Sequence, residues 1–167
     1  MMYLLDANVL IQAKNLHYSM DFCPAFWDFI DRKAPSSTIA SISFVYDELV
    51  AGSDELAVWV KERKDDISFL DLSDRETQLK YIEIVNYVNS NGFGQAHIDR
   101  FLDGADPWLI AKASVMGATL VTHEVLAVGT GIKKVKIPNI CKAFGVEYIN
   151  PFEMISNLGA NFVLSGV

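Results

Sequence analysis

Apolar residues along this chain fall into two spacings. Short, largely apolar runs occur at Met2–Leu5, Thr38–Ser41, Ile67–Leu72, Thr119–Thr122 and Val146–Ile149, the length of strands buried on both faces. Between them, apolar positions recur three and four apart, as in Pro24–Lys33 with Phe26, Trp27, Phe29 and Ile30, and Asp54–Arg63 with Leu56, Trp59 and Val60. Further helices are expected over Phe44–Ala51, capped by Ser41 or Ser43, and from Ser73, where Ser73-Asp74-Arg75-Glu76 fits a capping box, to Val88. Gln95–Leu102 reads as a short helix, and Trp108–Met116 as one opened by Asp106-Pro107 and closed by Gly117. A helical turn at Ile140–Phe144 and a last helix from Asn150-Pro151 to Leu158 complete the set, with turns at Pro35-Ser36-Ser37 and Asn89–Gly94. Strands alternating with helices predict βαβ units, hence one α/β domain with a parallel sheet over residues 1–158 and a weakly specified tail at 159–167.

The first apolar run contains an intruder. Asp6 and Asn8 interrupt Leu4, Leu5, Val9, Leu10 and Ile11, and a carboxylate in such a setting is costly unless it is hydrogen-bonded or holds a cation. Ligands of open α/β sheets sit beyond the carboxyl ends of the strands. Asp6 follows the first strand there and Glu124 follows the fourth, so both acids face one crevice if those strands are neighbours. Asp106 starts the helix leading into the fourth strand, and Glu48 lies near the end of an otherwise apolar helix. Four acids brought together raise one another's pKa unless something positive intervenes. Mg²⁺ or Mn²⁺, hard cations that take oxygen ligands, would do so and would activate water against a phosphodiester. Three of these acids also have an ordinary explanation: Asp6 and Asp106 as helix caps, Glu48 beside Asp47 as a surface pair.

Composition narrows this picture. The 167 residues suit one domain with a real core, and no run approaches the roughly 18 apolar residues of a membrane span. Met1 leads straight into the first strand without a basic leader, so a cytoplasmic protein is expected, with no membrane partner. A net charge of −7 argues against bulk polyanion binding but leaves room for a local strip at Lys133, Lys134 and Lys136 that could hold substrate phosphates. Cys23 and Cys141 lack metal-type spacing and read as core thiols. Trp27, Trp59 and Trp108 read as packing, His123 as a loop histidine, and His17 and His97 carry no signal.

Four segments, in order, resemble the PIN domains. They are Leu4-Leu5-Asp6-Ala7-Asn8-Val9-Leu10, Phe44–Leu49 with Asp47-Glu48-Leu49, Ala105–Ala113 with Asp106-Pro107-Trp108, and Thr119–Glu124. The resemblance spans about residues 2 to 150 and implies a three-layer fold with a five-stranded parallel sheet in the order 3-2-1-4-5. It also implies a metal-dependent endoribonuclease whose Asp6, Glu48 and Asp106 bind Mg²⁺ or Mn²⁺. Glu124 stands where the family usually has Asp, one methylene shorter. Asn8 and Thr122 match residues that orient the acids or a water, and Asp103 is an extra ligand or a surface acid. Small PIN proteins of bacteria and archaea are commonly dimeric toxins held by an antitoxin protein, so RNA, an antitoxin and a second copy are the expected partners. The rival reading is a degraded PIN-like module that binds RNA or protein without cutting, favoured by Glu124 and the acidic net charge. A haloacid-dehalogenase-like phosphatase needs Asp-x-Asp, and Asp6-Ala7-Asn8 does not supply it.

Overall fold

The computed structural model describes residues 1–36 and 38–163, so Ser37 of the expected turn and the last four residues of the tail lie outside the described residues. Five parallel strands form one sheet in the order β3-β2-β1-β4-β5. They are β1 (Tyr3–Leu5), β2 (Ile39–Ile42), β3 (Ser68–Leu70), β4 (Thr119–Val121) and β5 (Tyr148–Ile149). Leu4 pairs with Ala40 on one side and Leu120 on the other, which makes β1 the centre of the sheet. Every residue of β1 and β2 is buried, Ser41 included, as expected of strands covered on both faces.

Helices flank this sheet: α1 (Ala7–Gln12), α2 (Pro24–Lys33), α3 (Ser43–Val50), α4 (Glu55–Glu62), α5 (Arg75–Ser90), α6 (Gln95–Asp103), α7 (Asp106–Met116), α8 (Ile137–Phe144) and α9 (Pro151–Asn157). The core runs through Leu4, Phe26, Ile30, Ile39, Leu109, Ile110, Leu120, Ile140 and Met154, all with essentially no exposed surface. Phe162 packs edge-on against Tyr18 and Phe29, bringing the segment after α9 onto α2. Among the described residues, no helix is long and apolar enough to cross a membrane. Cys141 is a core thiol, pushed up to about 12 by burial, whereas Cys23 sits half-buried at the edge and both are unpaired.

Several local expectations are corrected. Neither Ser41 nor Ser43 caps α3: Ser41 is buried on β2, and its hydroxyl donates to the carbonyl of Leu5 at 2.6 Å, bracing the end of β1. The box at Ser73 does not form, because Asp74 is the cap. Its carboxylate accepts from Thr77 N at 2.9 Å and from Lys112 Nζ at 2.5 Å, while the Ser73 hydroxyl turns to Asp71. The reciprocal box occurs instead at Asn150 and Glu153. Helix α8 starts three residues before the expected turn, with Pro138 in its first turn, where the missing N–H is no loss. Finally, α1 runs on into a π-helical turn, Ala13–His17, closed by Tyr18 N donating to Ala13 O at 2.7 Å. An apolar repeat gives no sign of such an extra residue per turn.

Candidate active site

Asp6 leaves the end of β1 and enters α1 as its N-cap. Its Oδ1 accepts from Asn8 N at 3.3 Å and its Oδ2 from Thr122 Oγ1 at 2.9 Å. Thr122 is itself buried just past β4, and its hydroxyl also accepts from Glu124 N at 3.1 Å. One hydroxyl therefore joins the ends of the two central strands, holding the carboxylate of Asp6 and the backbone of Glu124. Asn8 contributes its backbone N–H, while its side chain is exposed on the first turn of α1. The cap explains only part of Asp6. Burial pushes its carboxyl up to about 6, against the hydrogen bonds from Thr122 and Asn8, and the charges of Glu124 and Glu48 add to the rise.

Asp106 departs further from the ordinary. It is the first residue of α7 rather than its cap, and its carboxylate accepts no hydrogen bond among the described residues. Burial pushes it up to about 8, with Asp6, Glu124 and Glu48 raising it further and Lys136 opposing. Glu48, an exposed residue of α3, accepts from Ala105 N at 3.0 Å and so ties α3 to the start of α7. Four acids from four separate stretches thus share one electrostatic neighbourhood. Asp103 does not join them: it ends α6, exposed, and is absent from the charges that shift Asp6 or Asp106.

Glu124 uses its extra methylene. Its Oε1 accepts from Lys136 Nζ at 3.1 Å and its Oε2 from Ile137 N at 2.7 Å, so it caps α8 from a distance. Because the Lys136 pair is about one-third exposed, Glu124→Gln, which keeps an acceptor for Ile137, is expected to change stability by under about 1 kcal/mol. Glu124→Ala leaves the α8 N–H unpaired and is expected to cost about 1–2 kcal/mol. Urea titration of the two variants checks the difference.

Asp106 and Glu124 line a cavity of about 220 Å³ whose other wall is His97, Arg100, Phe101, Lys134, Val135 and Lys136. Of the three lysines expected to hold phosphates, Lys134 and Lys136 reach this hollow, while Lys133 turns to the carbonyl of Gly92 at 3.4 Å. Arg100 and His97 gave no sequence signal, because only the placement of α6 brings them here. A larger hollow of about 440 Å³ lies between α2 and Leu158–Val163, away from the four acids. The oxygen donors suit a hard divalent cation, since Asp106 has no competing donor among the described residues and the carboxyls of Asp6 and Asp106 both resist ionising alone. The cage is not preassembled: among the described residues, no three Asp, Glu, His or Cys side chains stand close enough to form a ready ligand set.

The sequence profile of a family described as "Domain of unknown function (DUF4411)" matches residues 3–162. The chain belongs to this family. No curated protein matches the DUF4411 chain in sequence. Among solved structures it is similar to a chain from "Crystal structure of VapBC2 from Rickettsia felis bound to a DNA fragment from their promoter", with a TM-score of 0.55 and 19% identity. That similarity covers 90% of this chain and 98% of the other, and it is one of fold. The DUF4411 chain therefore has a PIN-like α/β architecture, with its acids at the edge where the two central strands end.

Proposed function

We propose that this chain is a PIN-like endoribonuclease that uses Mg²⁺ or Mn²⁺ and acts in the cytoplasm as the toxin of a toxin-antitoxin pair. The observation that carries the reading is the convergence of Asp6, Glu48, Asp106 and Glu124, from four distant stretches, on the carboxyl edge of β1 and β4. Asp6, Glu48 and Asp106 would hold the ion, and Glu124 is the acid most committed elsewhere. When bound, the ion supplies an activated water and charge neutralisation for in-line attack on a phosphodiester. Thr122 and Asn8 N hold Asp6 in place, and Arg100, Lys134 and Lys136 face the phosphates. Likeness to a chain of VapBC2 supports an antitoxin partner, and a homodimer fits the toxin reading. Incubating purified protein with single-stranded RNA tests the proposal: cleavage to 5′-phosphate and 3′-hydroxyl ends is expected with Mg²⁺ or Mn²⁺ and not with chelator.

A second reading has its own observation. Both Glu124 oxygens are engaged and the acids are not drawn into a cage, as expected of a module that binds RNA or protein without cutting. Calorimetric titration with Mn²⁺ separates the two, because that module would show no carboxylate-dependent binding.

A further inference from the structure

His17, His123 and Phe152 come from three separate stretches and meet at the edge where the acids lie. The ring centroids stand 5.8 Å apart for His17 and His123, 5.3 Å for His17 and Phe152, and 6.1 Å for His123 and Phe152. Phe152 follows Pro151 at the start of α9 and is 47% exposed, and His17 is exposed. Val9, Ala13, Tyr18, Phe26 and Pro151 form the floor beneath them. The π-helical turn ends at His17, and Tyr18 stacks inward on Phe26 at 4.6 Å, leaving His17 on the outside. Turns of this kind occur often at functional sites.

We infer that His17, His123 and Phe152 form a stacking platform for a nucleobase of single-stranded RNA, next to the phosphodiester that the acids would cut. This inference rests on the proposed ribonuclease reading. His123 stands between Thr122, which holds Asp6, and Glu124, which lines the acidic cavity, so platform and cavity are continuous through the backbone. The cavity's far wall offers Arg100 and Lys134, neither of which forms an ion pair among the described residues. A strand of alternating phosphate and base meets cations on one side and open rings on the other, the combination used for single-stranded nucleic acid. The other aromatic set near the acids is closed on itself. Trp108 lies face to face with Tyr81 at 3.7 Å and 7°, with Phe44 against its edge. In the platform Phe152 meets both histidines edge-on, and the histidines are tilted by 32°, so no ring face is covered by a parallel neighbour among the described residues.

The test uses the full chain carrying Asp6→Asn, so that RNA is not consumed, with fluorescence anisotropy of a labelled 12-nucleotide single-stranded RNA in Mg²⁺. Adding His17→Ala or Phe152→Ala is expected to weaken binding by about tenfold each, while His17→Phe stays within about threefold of the parent. With an RNA made abasic at successive positions, one position is expected to bind the parent and the alanine variants alike. Unchanged binding in both alanine variants, or equal weakening for every abasic RNA, would overturn the platform while leaving the nuclease reading intact. Cleavage by the unsubstituted protein, measured beside it, reports on that reading separately. An Asp6→Asn chain that binds no RNA would remove the platform, whatever the cleavage result. Thermal melting of each variant confirms that the rings were changed without loss of the fold.

Discussion

Replacing Asp6 by Asn will reduce metal-dependent RNA cleavage by about 100-fold or more, and the folded protein will become more stable at pH 8. The two effects have one cause. Asn has the shape of Asp and keeps an oxygen for Thr122 Oγ1 or Asn8 N, so the cap on α1 survives. What disappears is a carboxylate that burial and the neighbouring acids hold up to about 6. Above that pH the native protein carries an ionised group in a place that disfavours the charge, and the amide relieves it by about 2–3 kcal/mol. If Asp6 were only a helix cap, Asn would leave cleavage intact and stability nearly unchanged. Steady-state cleavage and urea titration at pH 8, on the same preparation, distinguish the cases. Undiminished cleavage by Asp6→Asn would remove the proposed mechanism.

The contrast between Asp6 and Glu124 shows what a sequence makes legible. Asp6 stood out because its setting is local: a charge inside an apolar strand needs a reason wherever the strand lies. The strands were readable for the same cause, since burial on both faces leaves a largely apolar run, and the ends shifted by a residue or two where Ser41 and Thr122 face the sheet edge. Glu124 was legible as an acid at a strand end but not in its partners, because Lys136 and Ile137 reach it only once α8 is docked. Asp106 looked like an ordinary cap before proline, and only the placed helix leaves its carboxylate without a donor. Arg100, His97 and His17 lay beyond any pattern. The first two depend on how α6 docks beside Glu124 and the segment Lys134–Lys136, and His17 is turned outward by one π-helical turn that no periodicity announces.

Asp106 gives the other large effect, on stability as a function of pH in the absence of divalent ions. Its carboxyl is held up to about 8 and that of Asp6 up to about 6, while both titrate near 4 in the unfolded chain. Between those values the native state binds protons that the unfolded state has released, so this stability is fully present below about pH 4. It is lost as pH rises, through about 6 for Asp6 and about 8 for Asp106. The opposite limb comes from Asp74, held down to about 2 chiefly by its hydrogen bond from Lys112, whose contribution is present above about pH 4 and lost toward pH 2. Metal-free protein is therefore expected to be most stable near pH 4–5 and to lose several kcal/mol by pH 8. Asp106→Asn should flatten most of the fall between pH 6 and 8. Mn²⁺ should raise the melting temperature of the parent more at pH 8 than at pH 5, because only ionised carboxylates bind it. The amide variant should lose most of that gain. A parent and an Asp106→Asn variant with the same slope from pH 6 to 8 would mean that Asp106 already has a compensating partner in the folded chain, and the site would then have no need of a cation.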